Sequence, residues 1–175
     1  MTTASELYRR IVEDVVGRGD LELANKLFAD DFVGRRTGLH TFFTLFAGPP
    51  PRQAAEMSGK QMFMGGLSRI KASFPDWACS VHYCVAENDL VSGAFTVSGS
   101  FTGTEAFLGF PPNGNEFRFE EAGMLRVRDG QAVEAWFVGD ELAFAHAIAG
   151  LAPALTAQNG SRTHRKATEA TEAPH

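Results

Sequence analysis

Apolar and polar positions alternate most regularly between Phe117 and Arg128. On one face of the strand this predicts stand Phe117, Phe119, Glu121, Gly123, Leu125 and Val127, and on the other Arg118, Glu120, Ala122, Met124, Arg126 and Arg128. One carboxylate, Glu121, therefore shares a face with apolar residues, unless a β-bulge near Glu120-Glu121 swaps the two faces. Asp129-Gly130 supplies the positive φ of a tight hairpin, and the return strand offers Val133, Ala135 and Phe137 to the side of Glu121. A second alternating segment, Leu90 to Thr102, sets Val91, Gly93, Phe95, Val97, Gly99 and Phe101 against Ser92, Thr96, Ser98 and Ser100. Trp77 to Ala86 reads as another strand, joined to it by Glu87-Asn88-Asp89. Either face of that strand could be the inner one, which leaves the side taken by His82 and Tyr83 open.

The first half of the chain has a helical period instead. Ser5 can cap a helix with Leu7, Tyr8, Ile11, Val15 and Val16 in one stripe, ending at Gly17-Arg18-Gly19, and Asp20 can cap a second through Leu21, Ala24, Leu27 and Phe28. Ala29 to Val33 reads as the way into a short strand. From Gly34 to Arg52 the pattern breaks, mixing Arg35-Arg36, three Phe and Pro49-Pro50-Pro51, as expected of an apolar lid. A third helix is predicted over Gln53 to Phe74, carrying Met57, Met62, Phe63, Leu67 and Ile70. Asp140 caps a last one, Glu141 to Leu151. Helices first and antiparallel strands after them predict an α+β domain over 1–152, a curved antiparallel sheet and N-terminal helices enclosing a cone-shaped pocket, with a disordered polar tail over 153–175.

Composition narrows the partner. A net charge of −5 with no basic stripe argues against nucleic acid or an anionic membrane, while 15 Phe favour a small hydrophobic ligand. No apolar run approaches the roughly 20 residues that span a bilayer, and Met1 to Arg10 has no signal-peptide core, so a cytoplasmic protein is expected. Cys79 and Cys84 are five apart on one strand, which puts them on opposite faces as reduced thiols. The five histidines, at 40, 82, 146, 164 and 175, show no metal-ligand spacing, and no metal is expected. Trp136 and Met124 lie opposite the pocket face, where exposed apolar residues predict a homodimer interface.

Six pieces in order carry a family resemblance: Phe74-Pro75-Asp76, Val85 to Asp89, Gly99 to Gly103, Leu108 to Gly114, Arg126 to Gly130, and Val133-Glu134-Ala135-Trp136. From about Glu6 to Leu151 the chain resembles the SnoaL-like polyketide cyclase family, of the nuclear transport factor 2-like fold. The resemblance implies a bacterial polyketide pathway for antibiotics, whose founding cyclases close a ring by aldol condensation without metal or cofactor. Their general base lies in a His-Trp-Asp segment that here reads Ala135-Trp136-Phe137. Their two pocket histidines fall at Gly123 and Phe101.

With those positions apolar, Glu121 is the candidate catalytic acid or base. Burial among Phe95, Phe101, Phe119 and Phe137 would raise its pKa toward neutrality. The expected substrate contacts are Phe95, Phe101, Phe119, Gly123, Leu125, Ala135 and Phe137, with Met62 and Tyr83 from above and beside. The function expected is cofactor-free cyclisation or isomerisation of a hydrophobic polyketide-like intermediate, closed by substrate folding with help from Glu121. A binding protein without chemistry is the alternative. Epoxide opening ranks below both, because it needs an Asp-Arg-Asp constellation around a water and the derived inner faces hold no arginine.

Overall fold

The Phe117 to Val127 alternation forms the middle of a five-stranded sheet. The computed structural model describes residues 3–38 and 57–150, so the 153–175 tail and most of the lid segment lie outside the described residues. Within them run α1 (Ala4–Arg9), which continues as a π-helix (Arg10–Gly17), α2 (Leu21–Leu27), β1 (Phe28–Arg36), α3 (Gly59–Ser73), β2 (Ala78–Glu87), β3 (Leu90–Ser100), β4 (Glu116–Arg128), β5 (Gln131–Gly139) and α4 (Glu141–Ile148). The strands stand in the order β1-β5-β4-β3-β2 in a curved, unclosed sheet. All neighbours pair antiparallel except β1 and β5, which run parallel. The architecture is α+β.

Local chemistry explains most boundaries. Thr3, not Ser5, caps α1, because Glu6 stands three residues on and completes a capping box. Ser58 caps α3 in the same way through Gln61, so this helix starts six residues after the expected Gln53. Asp20 and Asp140 accept from the backbone N–H of Leu23 and Ala143, as helix caps should. Asp129 and Gly130, at φ 52° and 77°, make the tight turn between β4 and β5. A second such turn, Leu108-Gly109, closes a two-residue hairpin between Phe107 and Phe110.

Two bulges shift faces that simple alternation assigns. In β2 the pairing slips between Val81 and Tyr83, leaving His82 extra. Tyr83 is therefore turned outward and is 64% exposed, which removes it from the pocket contacts. The same slip puts Cys79 and Cys84 on one face, both packed against the core and both free, where opposite faces were expected. Burial pushes the Cys79 thiol up to about 12. In β5 a slip opposite Arg126/Val127 leaves Val133 extra and buries Ala132 on the core face instead.

The core lies between the helices and the concave face of the sheet. Phe74, Trp77, Phe117, Phe119 and Phe144 stack with ring centroids 5.1–6.1 Å apart. Offset and edge contacts of this kind add about 0.5–1.5 kcal/mol per pair beyond the area they bury. A second group, Phe28, Phe32 and Phe63, joins β1 to α3. The outer face of the sheet is polar where His82, Thr96, Glu120 and Arg118 bond one another. No helix among the described residues is long and apolar enough to cross a membrane.

Candidate functional site

Between α3 and the sheet lies a cavity of about 600 Å³. Met62, Phe63, Gly66, Leu67 and Ile70 of α3 form one wall, Phe95, Glu121 and Phe137 of the sheet the opposite one. Trp77, Phe144 and the Ala106–Gly109 turn complete it, with Gly34 to Arg36 of β1 at its side. Apolar carbon dominates these surfaces. The exceptions are Arg69, exposed on α3, Arg35, whose side chain is paired loosely with Glu134, and one buried ionic group.

That group is Glu121, Arg36 and Glu141. Alternation along β4 sends Glu121 inward, and no bulge interrupts its pairing with β3, so its side chain is 2% exposed. Its cross-strand neighbour on β5 is Gly139, and any side chain there would collide with the Glu121 methylenes. Arg36 arrives from β1 beside Phe137. Its two terminal nitrogens bond the two carboxylate oxygens of Glu121, the Nη1 contact at 3.2 Å and the Nη2 contact the closer. Its Nε–H donates to Glu141 Oε1 at 3.1 Å. Glu141 follows the Asp140 cap in the first turn of α4, and Gly38, at φ +98°, packs against its other oxygen.

Electrostatics within the group are unequal. Burial works against the Arg36 charge, but Glu121 and then Glu141 more than offset it, so the guanidinium pKa is raised. Glu141 is pushed up, because burial outweighs the pull of Arg36 and the nearby Glu121 charge adds to it. With both carboxylates ionised the group carries one net negative charge in apolar surroundings. A proton held on Glu141 makes it neutral. Among the described residues no cluster of three or more His, Cys, Asp and Glu could hold a metal ion.

Of the residues singled out from the sequence, Glu121, Phe95, Phe137 and Met62 line the cavity. Phe101, Phe119, Leu125 and Ala135 face the same way but are buried in the core, outside its lining. Gly123 is covered, since an added methyl there would lie 2.5 Å from the Phe137 ring. The reason is Tyr8. Its ring lies over the paired Gly93 and Gly123, with its hydroxyl donating to the Gly93 carbonyl at 2.9 Å, and fills the part of the concave face where a ligand was expected.

Arg36 and Glu141 were missed. The inner faces do hold an arginine, contrary to the sequence-based expectation, and it sits between two carboxylates. A signal existed in the parity of Phe32, Gly34 and Arg36, which continues the β1 alternation into the segment read as a lid. Glu141 had no comparable signal.

The family model for SnoaL-like polyketide cyclases matches residues 37–148. Among solved structures, IdmH, a candidate polyketide cyclase from Streptomyces antibioticus, is 27% identical over 82% of this chain and 96% of its own, with a TM-score of 0.63. A candidate SnoaL-like cyclase from Jannaschia sp. CCS1 (20% identity, 82% and 89% of the two chains, TM-score 0.65) shares the fold. So does AclR, a candidate hydroxylase from Streptomyces galilaeus (24%, 83% and 80%, TM-score 0.60). No curated protein matches the chain.

Proposed function

Since the chain belongs to the SnoaL-like polyketide cyclase family, we propose that it is a cofactor-free cyclase or isomerase of a hydrophobic polyketide-like intermediate, with Glu121 as its acid or base. One observation carries the reading: the only carboxylate lining the apolar cavity, among the described residues, is Glu121, held on a guanidinium at its end. A carboxylate in a site that excludes water exchanges a proton with bound substrate without competition from solvent. The apolar walls supply the rest, by holding a flexible chain in the conformation that closes. The candidate cyclase from Streptomyces antibioticus, at 27% identity, supports the same class of reaction.

A second reading, opening of an epoxide, is favoured by Arg36 lying between two carboxylates. There Glu121, the carboxyl at the cavity, would take a proton from water as the water oxygen attacks the epoxide carbon and return it to the opened oxygen, which Arg36 steadies. Both readings are tested on the intermediate that accumulates when the gene is removed. Glu121→Gln should lower its turnover at least tenfold, about 1.4 kcal/mol of transition-state stabilisation, because Gln keeps the size of Glu but carries no exchangeable acid proton. Turnover at the parent rate would refute a proton-transfer role. Product analysis separates the two, since ring closure by isomerisation keeps the substrate mass and epoxide hydrolysis adds one water.

A further inference from the structure

We propose that Arg36 is the group that binds a carbonyl oxygen of the ligand, so that the cavity takes an apolar ring or chain presenting an enolisable ketone to Glu121. The inference rests on the reading of Glu121 as the proton-transfer group and adds the residue that receives the oxygen. A guanidinium has five N–H donors. Three are accounted for, one on Nε to Glu141 and one on each terminal nitrogen to Glu121. One N–H on each terminal nitrogen is left with no acceptor among the described residues. Arg36 lines the cavity, and of the other two arginines there Arg69 is exposed on α3 and Arg35 is paired with Glu134, so Arg36 is the one held beside Glu121.

The group is also fixed in place. Carboxylates from β4 and α4 hold the guanidinium from two sides, so its free donors are oriented before any ligand arrives. Charge accounting favours the pairing with Glu121. When the C–H bond next to the ketone breaks, the proton goes to a Glu121 oxygen, the bonding pair becomes the enolate double bond, and the negative charge passes to the ketone oxygen. That charge leaves one partner of Arg36 and arrives on another, so the guanidinium stabilises the anion on both sides of the step. Return of the proton from Glu121 to carbon, or attack of the enolate carbon elsewhere on the same chain, completes it.

Two bicyclic probes of nearly equal size test this, 2-tetralone, which has an enolisable ketone, and tetralin, which has none. Affinities are taken by NMR titration on Glu121→Gln and on the double variant Arg36→Met/Glu121→Gln, which does not leave an ionised Glu121 without its partner. The preference for ketone over hydrocarbon should fall at least tenfold in the double variant, as expected for loss of a hydrogen bond from a charged donor. Deuterium uptake by 2-tetralone in heavy water should be accelerated by the parent protein at least tenfold over Glu121→Gln. An unchanged preference overturns the role of Arg36, even if exchange is accelerated and Glu121 keeps its own. A preference that falls without accelerated exchange supports Arg36 and removes proton transfer by Glu121. If neither probe binds, the cavity does not take such ligands and both readings fall.

Discussion

Arg36→Met should destabilise the fold because it strips Glu121 of its partner inside the protein. The Glu121 side chain is 2% exposed and its oxygens bond both terminal nitrogens of Arg36. Removing one member of a buried pair costs about 3–5 kcal/mol, and because the Arg36 side chain is itself 28% exposed, the lower end, about 3 kcal/mol, is the expected figure. For a domain of this size, with a urea slope of about 2 kcal/mol/M, the midpoint should drop by roughly 1.5 M. In a thermal melt the same loss is about 6–12 °C. The loss should be largest at neutral and alkaline pH and smaller in acid, where the orphaned carboxyl can take a proton. Glu121→Gln in the same chain should recover at least half of it, while Glu141 remains to be neutralised. A single variant within about 1 kcal/mol of the parent, or a double no better than the single, would refute the buried-pair account.

Three further outcomes are expected. Asp140→Ala should cost about 1 kcal/mol in the urea midpoint through loss of the cap on Ala143, and leave turnover per folded molecule unchanged; a turnover loss without a stability loss would contradict this. Glu141 has a raised pKa, so its contribution to stability is full below its ordinary value of 4.5 and is lost as pH rises through the higher folded value. Glu141→Gln, which mimics the protonated form, should therefore match the parent in melts near pH 4 and exceed it at pH 7; a gap that closes or reverses with rising pH would count against the assignment. We also propose that the outer face around Trp136, which is 45% exposed beside Val138, is the interface of a homodimer. Trp136→Glu should then shift a dimer to monomer in light scattering, and a parent monomer at micromolar concentration would end the idea.

What the sequence determined by itself is whatever short-range periodicity encodes. Alternation along Phe117 to Val127 was enough to turn Glu121 inward, because each residue of an uninterrupted strand faces opposite to its neighbours. Asp129-Gly130 was enough for the hairpin, and Asp20 and Asp140 for two helix starts, since turns and caps are contacts within a few residues. Six ordered pieces were enough for the family. Tertiary structure decided the rest of the site. Arg36 reaches Glu121 because β1 pairs parallel with β5, about a hundred residues away, and nothing near Arg35-Arg36 in the chain announces that partner. The bulge at His82 turned Tyr83 out and put Cys79 and Cys84 on one face, and it exists only as a mismatch between two strands. Tyr8 lies across Gly93 and Gly123, Phe74 stacks on Phe101, and Leu125 and Ala135 are fully buried, so that residues correct in parity became core instead of pocket. Parity says which side of a sheet a residue is on. What covers that side is settled by packing between segments far apart in the chain, where shape and volume decide and local pattern carries no information.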